Sequence, residues 1–487
     1  MKERVLLHKK SSAVSRSTLF LLTVFAIISF AMNSNAQTVV DVIVNSPDHE
    51  TLEDAVIAAE LDDDLSGAGP FTVFAPTDDA FAALGTQTLN DLLADPTGDL
   101  ATILQYHVTT GNVQAGDLSD GQIVSMLDGT DAFISLYSEG NFINQAEITT
   151  TDIVASNGVV HVIDAVITQP TSIVDIVVNS PRHETLELAV GEANLAGTLS
   201  QPGNFTLFAP TDDAFAALGS ETINALLAEP EGLLARILTY HAVGATAFSG
   251  DLSDGDTFTT VEGSDIEVTI NNDGVFINDA QVVFADYEAP NGVVHVIDAV
   301  ITPPADVQVS ETNDYGQILT DANGNTLYFF SNDAEGMSMC EDGCLDNWPV
   351  FYAENPIFGE NLNESDFGSI DRGDGTMQMT YKGWPLYYFA NDNAPGEVNG
   401  EGVIDKWFVA KPDYTVMLAD NQLVGNDGIN YTGDYTEGEE IIQYFTDAAG
   451  NTLYTWVNDN FNTNNFTAGD FSNNGAWPIF EETEIVV

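Results

Sequence analysis

Hydrophobic and polar positions change rhythm along this chain, and each rhythm predicts a different element. In Thr51-Leu-Glu-Asp-Ala-Val-Ile-Ala-Ala59 the apolar residues recur at helical spacing. Phe71-Thr-Val-Phe-Ala75 reads as a short strand halted by Pro76. Thr77 then stands where a helix cap is needed, Asp78 and Asp79 favour the first turn against the helix dipole, and Gly85 is a stop. Leu100 to Tyr106 continues the helical part. Beyond His107 the pattern breaks into short alternating runs punctuated by Gly, Asn and Asp, the texture of strands and turns. Val159 to Thr168 is apolar on both faces and predicts a central strand.

The whole pattern then occurs again. Phe74-Ala-Pro-Thr-Asp-Asp-Ala-Phe-Ala-Ala-Leu-Gly85 recurs unchanged from Phe208 to Gly219, and Asn157-Gly-Val-Val-His-Val-Ile-Asp-Ala-Val-Ile-Thr168 recurs from Asn291 to Thr302. Both blocks, and the pairs Asp41/Asp175, His49/His183 and His107/His241, are 134 residues apart. That period is too long for a solenoid unit and suits a domain with its own core. It predicts two tandem domains, 37–170 and 171–304, with Pro170-Thr171 and Pro303-Pro304 at the seams.

The ends set the compartment. Lys2, Arg4, Lys9, Lys10 and Arg16 precede an apolar run from Leu19 to Met32, and Ser34-Asn35-Ala36 supplies small residues for cleavage. Residues 1–36 are read as a secretory signal peptide. Position 37 is Gln, so no lipid-bearing Cys follows the leader, and no membrane insertion is expected after cleavage. The leader holds five of the 11 basic residues and one acid, so its removal takes the net charge from −64 to −68. Such a surface repels nucleic acid and anionic lipid. Its carboxylates suit calcium, yet no loop has EF-hand spacing and no metal site can be named.

Thr72-Val-Phe-Ala-Pro-Thr-Asp-Asp-Ala-Phe81, the pair Tyr106-His107, and Asn157-Gly-Val-Val-His-Val-Ile-Asp164, in order and in both copies, resemble the signature blocks of the fasciclin domain. The resemblance implies an α+β fold of two tandem wedge-shaped β-sandwiches with packed helices. It also implies a role in cell adhesion or matrix contact. By position it makes adhesion candidates of Tyr106, His107, Tyr240 and His241. It does the same for Asp152 and Ile153, which match an integrin-binding Asp-Ile, and for Asp286 and Tyr287 in the second copy. Chemistry alone gives these residues quieter roles: a His after a helix suits the dipole, and a Tyr buries its ring while its hydroxyl finds a partner. His161 and His295, set among valines and isoleucines, read as hydrogen-bonded core residues.

The last third differs. Tyr328-x-Phe330-x-x-Asp333, Tyr387-x-Phe389-x-x-Asp392 and Tyr454-x-Trp456-x-x-Asp459 share one motif, and Asp-Ala-Asn-Gly-Asn325 is a hairpin-turn sequence. With Cys340-x-x-x-Cys344, Trp348-Pro349 and Arg372-Gly-Asp-Gly375, they resemble the bacterial secreted-lipoprotein repeat. A mostly β domain is expected over 305–414 and a partial copy over 415–487. Cys340 and Cys344 are the only cysteines, and export predicts that they pair in a disulfide. Arg372-Gly373-Asp374 spells an adhesion tripeptide but reads as a turn between strands.

No Gly-x-Ser-x-Gly elbow, phosphate loop, zinc signature or haem motif occurs, so no catalytic residue and no cofactor is expected. The leading function is a secreted, non-catalytic adhesion or binding protein of the cell surface, matrix or periplasm. Its partner would be a protein or polysaccharide, with calcium as a bridge. The alternative is a periplasmic ligand-binding or redox-accessory protein acting through the aromatic-rich C-terminal repeats.

Overall fold

The computed structural model describes residues 37–453 apart from 139, 334–335, 425–427, 435 and 448–451. The leader and the motif Tyr454 to Asp459 lie outside the described residues. The chain divides into two compact units. One comprises the residues up to Ala228 with Leu238–Ile301, the other Glu229–Ile237 with Thr302 onward.

In the first unit, the first copy contributes β1 (Phe71–Pro76), β2 (Val108–Thr110), β3 (Ile123–Ser125), β4 (Asp131–Leu136), β5 (Asn141–Ile143), β6 (Ala146–Ala155) and β7 (Gly158–Ile163). Their order is β2-β1-β7-β6-β5-β4-β3, with β1 and β7 parallel. One core, including Leu52, Val56, Phe81 and Leu104, lies between the helices and one face of β1 and β7. A second joins Phe74 and Ile163 from one end of the strand order to Val124 and Ile134 from the other, so the sheet folds over itself. Beyond Thr168 the second copy repeats this with β8 (Phe205–Pro210), β9 (Ala242–Val243), β10 (Thr257–Thr259), β11 (Asp265–Asn271), β12 (Gly274–Ile277), β13 (Ala280–Ala289) and β14 (Gly292–Ile297). The order is again the same, β10-β11-β12-β13-β14-β8-β9.

The repeated blocks explain themselves in these contacts. Thr77 caps the helix Asp78–Ala83 by accepting from the Ala80 N–H at 3.2 Å. Asp78 does the same for the helix Glu50–Ala58, accepting from the Thr51 N–H at 2.7 Å. The Asn157 amide accepts from the Val39 N–H and donates to the carbonyls of Leu65 and Gly67, tying the N-terminal helices to the closing strand. Gly158 must be Gly because a Cβ there would lie 2.0 Å from the Phe71 carbonyl oxygen. Asn291 repeats the tie in the second copy. Thr77, Asp78 and Asn157 therefore satisfy backbone groups that burial would leave unpaired.

The second unit holds the hairpin of β15 (Val307–Thr312) and β16 (Gly316–Asp321), then β17 (Tyr328–Phe330), β18 (Phe367–Asp371), β19 (Met377–Tyr381), β20 (Trp384–Tyr387) and β21 (Trp407–Val409). These form a five-stranded sheet ordered β18-β19-β20-β17-β21. A last group pairs β22 (Val416–Val424) with β23 (Asn430–Tyr431) and β24 (Ile441–Asp447). Among the described residues no helix is long and apolar enough to cross a membrane.

Candidate functional site

Tyr106 and His107 end the helix Ala101–Gln105 and turn inward, with only 0% and 1% of their surface exposed. The Tyr106 hydroxyl donates to the Asp131 carbonyl at 2.7 Å and accepts from the Asn144 amide at 2.9 Å. His107 Nε2 accepts from the Ile167 N–H at 3.1 Å, so Nδ1 carries the proton that reaches the Ile103 carbonyl at 2.8 Å. Burial holds this imidazole neutral, with its pKa lowered to about 4. Tyr240 bonds the Asp265 carbonyl and Asn278, and His241 accepts from the Ile301 N–H, in the same way. These four candidates brace the interior of their own copies.

Asp152 and Asp286 sit on bulges where the β6–β7 and β13–β14 registers shift, with φ of 61° and 64°. The His161 and His295 rings set these bulges. Nδ1 of each accepts from the Asp152 or Asp286 N–H at 3.3 Å, and Nε2 bonds the carbonyl of Val113 or Ala247. Each aspartate carboxylate accepts from a loop N–H at 2.8 Å, that of Ala115 or of Ser249. The residues that follow differ. Ile153 packs at the edge of the first core, and its neighbour Val154 is 69% exposed. Tyr287 is buried, at 4% exposure.

Tyr287 is buried against the first copy. Its ring stacks on Phe133 with centroids 4.1 Å apart, and its hydroxyl donates to the Gly121 carbonyl at 3.3 Å. Arg182 lies beside it, paired with Asp120, donating to Ser135, and held over the rings of Tyr137 and Phe284 at 5.0 and 4.6 Å. Burial pushes the Tyr137 phenol up to about 12. The sequence carries a signal for this contact. At the 134-residue offset Phe133 faces Glu267, Arg182 faces Asp48, Phe284 faces Thr150 and Tyr287 faces Ile153. The copies diverge where they touch.

In the second unit two motif segments complete each other. Tyr328 and Tyr387, 59 residues apart, are direct partners across β17 and β20. The Tyr328 hydroxyl donates to Asp392 of the other motif at 2.6 Å, and the Tyr387 hydroxyl donates to Asp333 of the first at 2.6 Å. Trp348 and Trp407, also 59 apart, stack at 3.8 Å and 2° between them. Phe389 covers Trp348 at 4.4 Å and Phe330 covers Trp407 at 4.2 Å. Arg372 turns away from solvent, only 4% exposed, donating to Ser338, Gln378 and the Cys340 carbonyl. The tripeptide it begins is thus a turn between β18 and β19. Cys340 and Cys344 are joined in a disulfide with Cα atoms 5.4 Å apart. Among the described residues no cluster of His, Cys, Asp and Glu could hold a metal ion.

The fasciclin domain model matches residues 47–170 and 181–303, half of the chain. The protein belongs to the fasciclin family. A model described as a secreted repeat of unknown function matches twice more, at 309–352 and 368–411, the two segments that interlock. The chain is 33% identical over 248 residues to pig transforming growth factor-beta-induced protein ig-h3, covering 50% of this chain and 36% of that protein. It is 32% identical over 258 residues to human periostin, covering 52% and 31%. The chain thus spans about a third of the length of these animal relatives. A solved fasciclin domain pair from the insect cell adhesion molecule fasciclin I is 19% identical with a TM-score of 0.31, covering 52% of this chain and 95% of that one.

Proposed function

We propose that this fasciclin protein is a secreted, non-catalytic adhesion protein that binds a cell-surface or matrix component. The single observation that carries this reading is the family match across both copies. The bulge geometry supports a contact surface on the first copy. There Asp152 is exposed, held by His161 and Ala115 in a left-handed conformation, with Val154 projecting beside it. In the second copy Tyr287, at the position of Ile153, is committed to Phe133, so the two copies do not offer equal surfaces. A net charge of −68 after leader removal favours a cationic or calcium-bridged partner.

Full-length protein coated on beads tests the reading, with cells, matrix protein and acidic or basic polysaccharide as probes. Binding to one of these should fall at least about fivefold in Asp152→Ala with Val154→Asp, a loss of roughly 1 kcal/mol. Tyr106→Phe, assayed while folded, should bind as wild type. Binding that survives the double change while the protein stays folded overturns the assignment to the first bulge. Bare beads and coated beads behaving alike overturn adhesion itself.

A further inference from the structure

The tyrosines of the fasciclin pair show how a buried phenol is ordinarily satisfied. Tyr106 and Tyr240 donate to neutral backbone carbonyls. Tyr381 of the second unit does the same with the Pro412 carbonyl. Tyr328 and Tyr387, both fully buried, instead donate to carboxylates at 2.6 Å, a length typical of a charge-assisted O–H···O⁻ bond. Asp333 is itself only 1% exposed, an expensive place for a carboxylate when a carbonyl would serve. Burial raises its pKa to about 7, which makes it a stronger base toward the phenol than an ordinary aspartate.

The rings between the two pairs are in near contact. Tyr387 meets Trp407 edge-on at 5.1 Å, Trp407 stacks on Trp348 at 3.8 Å, and Trp348 meets Tyr328 at 5.5 Å. Electron transfer weakens steeply with distance, and steps this short are fast between easily oxidised rings. A phenol that loses an electron becomes a strong acid, so it oxidises readily only where a base waits on its proton. Both ends of this row have such a base, and the middle has two readily oxidised indoles in face-to-face contact.

We propose that Tyr328, Trp348, Trp407 and Tyr387 form a one-electron relay that takes oxidising equivalents from a high-valent metal centre outside the cell. The phenol loses one electron to the metal centre, which is reduced by one. Its proton crosses the existing hydrogen bond to Asp392 or Asp333, leaving a neutral tyrosyl radical and a carboxylic acid. The hole passes between the tyrosines through the tryptophan pair. A one-electron reductant of the thiol or ascorbate class returns the electron, and the carboxyl returns the proton. Asp392 is half-buried and exchanges its proton with water more readily than Asp333. The adhesion reading of the fasciclin pair is independent of this relay.

The test uses full-length protein and a photogenerated ruthenium(III) polypyridyl as the oxidant, read by electron paramagnetic resonance. Wild type should give a tyrosyl signal, and isotope-free trapping with mass spectrometry should place it on Tyr328 or Tyr387. Asp333→Asn with Asp392→Asn keeps a hydrogen-bond acceptor but removes the base, and should lower the radical yield at least tenfold. Tyr328→Phe with Tyr387→Phe keeps the rings and should abolish the mapped signal. Near-ultraviolet circular dichroism reports whether each variant keeps its packing. The proposal is overturned if folded variants give the wild-type yield. It is equally overturned if wild-type oxidation falls only on the exposed Met337 and Met339, a result that needs no variant.

Discussion

Phe133 and Tyr287 stack 4.1 Å apart at positions where the opposite copy carries Glu267 and Ile153. Duplication supplied two equivalent folds, and the contact between them arose from residues that differ. A head-to-tail contact between identical modules can propagate without closing. Here Glu267 and Ile153 leave the outward counterparts of the contact without the stacking pair.

Tyr287→Ile, which installs the residue of the first copy, should therefore loosen the pair without disturbing either core. Aromatic stacking of this kind is worth about 1 kcal/mol beyond area burial. Limited proteolysis near the seam at 170 should accelerate about fivefold, with far-ultraviolet circular dichroism unchanged. Equal cleavage rates would mean that Arg182 and Phe284 hold the copies together unaided.

The buried imidazole of His107 makes stability depend on pH in a definite direction. Its folded pKa, about 4, lies below the ordinary 6.5, so between those values the unfolded chain binds the extra proton. Its contribution is complete above about pH 6.5 and is lost as pH falls toward 4, by up to about 3 kcal/mol. The many acids titrate in the same range, so a variant must serve as the reference. The melting-temperature gap between wild type and His107→Gln should narrow from pH 7 to pH 4.5. A gap that widens on acidification would contradict the neutral, doubly bonded ring.

Arg372→Ala should destabilise the secreted-repeat unit and leave bead binding alone. The change strands Gln378 and the Cys340 carbonyl, whose bonds to the guanidinium are 2.6 and 2.7 Å long. Loss of such buried, charge-assisted partners costs about 3 kcal/mol. Denaturant unfolding should show this loss for the second unit. Reduced binding by a fully folded variant would instead revive the adhesion tripeptide.

Period and composition, with no structure, determined that two copies of one domain precede a different β region. The element signals are local: Thr77 caps the helix it begins, Pro76 closes its strand, and Asn157 turns into the strand that Gly158 opens. The sequence also placed Tyr106 and Tyr328 in motifs, because motifs are contiguous. What it left open was which partner each side chain would find. Family position makes Tyr106 an adhesion candidate, but which groups its hydroxyl meets was not legible, since its partners Asp131 and Asn144 lie 25 and 38 residues away. Tyr328 and Asp333 belong to one motif, yet each bonds the other motif's residue across the β17–β20 pairing. Arg182 is one basic residue among many acids until folding brings Asp120 to it from 62 positions away. Burial and pairing are properties of three-dimensional neighbours, and only tertiary structure assigns neighbours that the chain itself keeps far apart.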